Sequence, residues 1–149
     1  MNITITNEQD DLLFDTSPLP GMVEEIVRHE GHHADEVSLN FVDEATICAL
    51  HKRFFNDPSF TDCISFPMRQ TGLDYKILGE IFVCPLAAVS YTEGSGGDPY
   101  EEVMLYIIHG LLHLMGYDDI GAQESQEMRK AEKRHLDNLK QLNIRIAPQ

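Results

Sequence analysis

Tryptophan is absent, cysteine occurs three times, and basic side chains are outnumbered by acidic ones, 11 to 25, in a chain of 149 residues. Each scarcity excludes something. Cys48, Cys63 and Cys84 are odd in number and contain no C-x-x-C pair, so neither a disulfide framework nor a thiolate zinc site is indicated. They read as inert core thiols, the usual fate of free cysteine. No window approaches the roughly 18 consecutive apolar residues of a membrane span. The amino terminus, Met1-Asn-Ile-Thr-Ile-Thr, lacks a basic region followed by an apolar one. A membrane partner is therefore not expected, and the expected location is the cytoplasm. With 42% hydrophobic residues, residues 1–149 are expected to form a single domain around one core.

The formal net charge of −14 argues against a nucleic-acid substrate held over a broad surface. Arg129, Lys130, Lys133, Arg134, Lys140 and Arg145 fall after Met128 with only Glu132 and Asp137 among them, so that tail carries +4 and the first 128 residues −18. A phosphate backbone would dock only through a local basic patch. The tail charges themselves read as a solvated helix face.

Hydrophobic periodicity gives alternating strands and helices. Residues 2–6 alternate as a short strand, and residues 7–16 are acidic and irregular. Ser17 to His33 reads as an amphipathic helix with Leu19, Met22, Val23, Ile26 and Val27 inward and proline in its first turn. His29, His32 and His33 near its end read as helix-terminal histidines rather than a metal site. Glu36–Val42 is the second strand. Asp43 caps a helix from Glu44 to Phe54 whose inner face is Ile47, Leu50, His51 and Phe54, with His51 read as structural rather than a ligand. Cys63–Phe66 and Leu78–Val83 are the third and fourth strands, separated by a polar loop at 69–76. Glu80 is either a carboxylate supporting the site or an edge polar residue. Pro85 opens a short helix to Tyr91, and Thr92–Pro99 is glycine-rich, a plain connector rather than a lid. The last helix runs from Glu124 to Leu142, and no internal repeat occurs. One sheet with helices packed on it gives an α+β architecture.

The chemistry concentrates in His109-Gly-Leu-Leu-His113-Leu-Met-Gly116-Tyr-Asp118-Asp119. Histidines four apart share a helix face, so both imidazoles can reach one metal ion. Val103 to Ile108 and Leu111 to Met115 are apolar nearly all round, so this is a core helix. Gly116 provides a left-handed stop, after which Asp118 or Asp119 can swing back as a third ligand. A metalloprotease would carry glutamate after the first histidine, and Gly110 stands there instead.

These residues resemble the signature of the YbeY family, bacterial single-domain metal-dependent endoribonucleases linked to ribosomal RNA maturation. Thr61-Asp62-Cys63-Ile64-Ser65-Phe66-Pro67, Leu78-Gly79-Glu80-Ile81-Phe82-Val83-Cys84 and Glu124-x-x-Glu127-Met128 agree with it in order. The resemblance implies a four-stranded mixed sheet with helices over one face, a metal cleft, and one zinc or related divalent ion held by His109, His113 and Asp119. Asp118 would then orient a histidine. It implies ribosomal RNA and the small ribosomal subunit as partners, without DNA, and cleavage of single-stranded RNA by a metal-activated water. His113 is the residue expected to be essential to that cleavage.

Two positions depart from the family pattern. Asp119 stands where the family has a third histidine, and an oxygen ligand there is still acceptable to zinc. The family's arginine six residues before the Thr61 box falls on Phe55, so Arg53, with Lys52, is the expected cation for phosphoryl charge. The competing readings are a ribosome-assembly binding protein with a structural metal and a metal-dependent hydrolase of another substrate, peptides included.

Overall fold

A computed structural model describes residues 1–68 and 74–149. The elements follow the order β1 (Asn2–Glu8), α1 (Leu19–His29), β2 (Glu36–Val42), α2 (Glu44–Phe55), β3 (Cys63–Pro67), β4 (Ile77–Val83), α3 (Pro85–Ser95), α4 (Pro99–Leu114) and α5 (Ala122–Gln141). The sheet runs β1-β2-β4-β3. β1 and β2, and β2 and β4, pair in parallel, while β3 closes the edge antiparallel to β4.

Alternation along the strands decides which face is buried. Register places Ile3 beside Val37, Ile5 beside Leu39, Leu39 beside Ile81, and Ser65 beside Ile81. Val37, Leu39, Phe41, Ile81 and Val83 are buried in one core with Leu19, Met22, Ile26, Ile107, Ile108, Leu111 and Leu112. Each such side chain contributes about 1.5–3 kcal/mol on burial, so α4, which buries Val103, Met104, Ile107, Ile108, Leu111 and Leu112, is anchored along its length. It packs on β3, β4, α1, α3 and α5.

The opposite face is polar on β1 and β2, where Thr6 Oγ1 donates to Asn40 Oδ1 at 2.7 Å. Glu80 is exposed on that face, away from α4, which makes it a surface residue and removes the supporting role considered for it. Helices do not all lie on one side, as the resemblance implied. α2 docks on the far face at the β3 edge through Ile47, which is buried with Val42, Ile64 and Cys84. Because α2 meets only this edge, its second half overhangs the sheet, and Phe54, expected to point inward, is 53% exposed.

Other boundaries move for local reasons. α1 stops at His29, four residues early, and Gly31 turns the chain at φ 74°. Asp43 caps α2 as expected, accepting from the Thr46 amide at 2.9 Å. α3 continues to Ser95 and absorbs half of the presumed connector. Buried Thr92 donates to the Ala88 carbonyl at 2.8 Å within that helix, and only 96–98 remain between α3 and α4. The expected polar loop lies outside the described residues at 69–73.

Candidate metal centre

α4 holds the two histidines beside the β3 edge, where they line one cleft with Cys63, Ser65 and Pro67, and Gly110 shows why the turn between them sits so close to the sheet. A Cβ there would lie 2.8 Å from Ile81 Cγ2 and 3.2 Å from both Cys63 Sγ and Ser65 Oγ. No acidic side chain fits at this position, which removes the metalloprotease arrangement on steric grounds. Asp98 caps the helix start by accepting from the Tyr100 amide at 2.9 Å. At the far end Gly116 adopts φ 104°, a conformation glycine takes without strain. Asp118 accepts from the Ile120 amide at 2.7 Å, so its carboxylate is used in shaping the turn. Asp119 is the residue delivered to the histidines.

The three candidate ligand atoms form a nearly isosceles triangle. His109 Nε2 and His113 Nε2 are 3.0 Å apart, and Asp119 Oδ2 lies 3.6 Å from the first and 3.7 Å from the second. A point about 2.0 Å from all three exists within such a triangle, which is the bond length zinc makes to imidazole nitrogen and carboxylate oxygen. Among the described residues this is the group of histidine, cysteine and acidic side chains with metal-binding geometry.

Hydrogen bonds at the other ring nitrogens set the imidazoles for this task. His109 Nδ1 lies 2.8 Å from Glu132 Oε2 on α5, and His113 Nδ1 lies 3.1 Å from the Tyr117 carbonyl. Both partners are acceptors, so each Nδ1 carries the proton and each Nε2 turns a lone pair toward the other. Two lone pairs at 3.0 Å repel unless a cation stands between them. Burial opposes a charge on His109, yet the Glu132 hydrogen bond and the carboxylates of Glu132, Asp119 and Asp62 outweigh it and raise its pKa above 6.5. The pocket thus draws positive charge, whether a proton or a metal ion.

A further layer steadies the turn. The Tyr117 hydroxyl donates to Glu30 Oε1 at 2.8 Å, and Glu30 Oε2 also receives Arg134 Nη2 at 2.6 Å and His135 Nε2 at 2.5 Å. Burial raises the carboxyl pKa, but these three donors prevail and bring it to about 2. Burial lowers the pKa of His135, consistent with a neutral ring donating one N–H. Arg134, its side chain 46% exposed, reaches this network from the solvated face of α5. Lys133 and Lys140 do pair at the surface, with Asp137 and Glu101.

Comparison with known proteins agrees with this geometry. The family model described as endoribonuclease YbeY matches residues 4–140. This chain belongs to the YbeY family. A protein named endoribonuclease YbeY from Protochlamydia amoebophila is 51% identical over 145 residues, covering 97% of each chain. Its counterpart from Chlamydia caviae is 35% identical over 141 residues, covering 91% of this chain and 89% of that one. The solution structure of TM1509 from Thermotoga maritima superposes with a TM-score of 0.64 at 29% identity, covering 91% of this chain and 87% of that one.

Against the YbeY pattern, Asp119 at the third-histidine position reaches the centre, with its side chain 43% exposed. Phe55, at the arginine position, lines a cleft of about 350 Å³ with His51, Cys63, Ile64, Ser65, Pro67, His109 and His113. Arg53 is exposed on α2, its Cζ 5.3 Å from the Phe54 ring centroid, and it is not among these lining residues. His51, read as structural, also faces the cleft, and its Nδ1 bonds the Ser59 carbonyl at 3.0 Å. His29 stacks edge-on against His135 with ring centroids 5.1 Å apart, and His33 lies 3.3 Å from Asp35. The Cys63 thiol is pushed well up by burial and Cys84 up to about 11 by the same cause, so both are poor nucleophiles at neutral pH.

Glu132 is the principal residue that the sequence does not single out, where it reads only as a counter-charge in the basic tail. Its signal was spacing: it falls one residue after buried Ala131, between buried Met128 and His135, on the inward side of α5. Nothing in the sequence pairs Glu30 with Tyr117, which are 87 positions apart.

Proposed function

We propose that this protein is a single-metal endoribonuclease that hydrolyses phosphodiester bonds of single-stranded ribosomal RNA during small-subunit maturation in the cytoplasm. The observation that carries the reading is the triangle of His109, His113 and Asp119 with both imidazoles oriented by acceptors behind them, in a chain of an endoribonuclease family. The donor set of two nitrogens and one oxygen suits zinc, and three protein ligands are the number a catalytic zinc site uses. A divalent ion there supplies Lewis-acid activation of water and of a phosphoryl oxygen.

The protein's own groups do the rest. Glu132 and the Tyr117 carbonyl hold the imidazoles in one tautomer and one orientation, so the ligand atoms need no rearrangement. Ser65 Oγ donates to the Gly110 carbonyl at 3.3 Å and fixes the floor of the cleft to α4. Arg53, close in sequence to cleft-lining His51 and Phe55, is assigned to the substrate's phosphates at the rim. No helix among the described residues is long and apolar enough to cross a membrane.

The test is cleavage of a ribosomal RNA fragment by the zinc-loaded protein. His113→Ala and chelation are each expected to lower the rate more than about 100-fold, beyond the loss that follows removal of an outer hydrogen-bond partner. DNA of the same sequence is expected to remain uncut. Unchanged cleavage in both conditions would refute the reading.

A further inference from the structure

An acidic nuclease must hold a polyanion with few cations, and the α2 side of the cleft suggests how. Phe54 and Phe55 are 53% and 54% exposed, unusual for phenylalanine on a helix of a small domain. They are not scattered. Phe66 lies edge-on to Phe54 at 4.8 Å and nearly parallel to Phe55, 6.2 Å away with 20° between the planes, and Phe82 meets Phe66 edge-on at 5.8 Å. The Arg53 guanidinium occupies one side of Phe54. Phe55 is the ring that combines a parallel neighbour, more than half of its surface open, and a place in the wall of the cleft that contains His109 and His113.

We propose that Phe55, backed by Phe66 and flanked by the tilted His51 ring 5.5 Å away, is a stacking platform for an unpaired base of the RNA substrate, seating the adjoining sugar and phosphate in the cleft beside His109 and His113. This deepens the endoribonuclease reading and rests on it. The occupant follows from continuity of the aromatic surface with that cleft, and the net charge of −14 leaves RNA to be held by contacts that do not depend on cations. Stacking on an aromatic ring needs no net positive charge and tolerates any base. A base inside a duplex has no open face to offer, so the platform selects single strands. It also gives Phe55 a role at the very position where the family pattern carries arginine, exchanging a phosphate contact for a base contact.

The test uses zinc-loaded protein and a single-stranded RNA carrying one 2-aminopurine, read by fluorescence quenching and by cleavage kinetics. Phe55→Leu keeps an apolar side chain and removes the π face. Its KM and its half-quenching concentration should rise about tenfold, the scale of one stacked base, with kcat changed less. Phe55→Trp should restore both. The wild-type affinity should depend weakly on salt, with a log–log slope shallower than about −2. Unchanged melting temperature in Phe55→Leu certifies the fold, as its exposure leads one to expect.

If the wild type cleaves and Phe55→Leu matches it in KM and quenching, the platform is refuted and the nuclease reading stands. If the wild type neither cleaves nor quenches, both fall. A dimer that depends on Phe55 and excludes RNA would assign the patch to a second copy of the chain and overturn the proposal.

Discussion

Two walls face each other across one cleft, and they are built differently. On the α4 wall each histidine has an acceptor at Nδ1, the turn that follows is tied through Tyr117 to Glu30, and the helix beneath is packed on the sheet. On the α2 wall, Ile47 is the helix's fully buried contact, while Lys52, Arg53, Phe54 and Phe55 stand in solvent. Polar groups that must meet a small ion to within tenths of an ångström need neighbours that remove their freedom. Groups that receive a flexible strand do not, and exposure is what makes them available. Under the proposed function, the first wall would carry the chemistry and the second the substrate contact.

That contrast can be broken or sharpened by substitution, beginning with the α4 wall. Glu132→Ala should weaken zinc binding about 10- to 100-fold, the scale for losing a partner behind a ligand, measured by competition with a chromogenic chelator. Next in size comes Glu30→Ala, which strips a 9% exposed carboxylate from three donors. It should cost about 3 kcal/mol and lower the melting temperature by roughly 10 °C. The sign of its pH dependence follows from a folded pKa depressed to about 2 from 4.5. Stability from Glu30 is fully present above the unfolded value and lost as pH falls through about 2, so acid titration of the variant should be shallower across that window. Smallest is Arg53→Ala on the α2 wall, with a rise in RNA dissociation constant of roughly two- to fivefold and a salt slope reduced by about 0.7. If Arg53→Ala instead exceeded Glu132→Ala in its effect on cleavage, the division between the walls would be wrong.

The order of the elements and the positions of His109, His113, Gly116 and Asp119 were legible because they depend on local rules, helical spacing and a glycine stop. Spacing alone left Asp118 and Asp119 open and the family resemblance favoured Asp119; the turn supplies the physical reason, since Asp118 holds the Ile120 amide. Phe54 was read inward because a helical period cannot say that α2 reaches past the edge of its sheet. The same geometry hid the part played by His51 and Phe55, which face the cleft only because β3 is the last strand. Glu132 and the Glu30 network lie beyond local reading altogether, being contacts between elements distant in the chain.

The most direct measurement is zinc content against RNA cleavage in one titration of metal-free protein. One zinc per chain should bind, cleavage should rise in proportion and level off at that equivalence, and His109→Ala should lose both. Full cleavage by protein stripped of metal, or a stoichiometry untouched by His109→Ala, would contradict the proposition that these two imidazoles and one carboxylate share a catalytic ion.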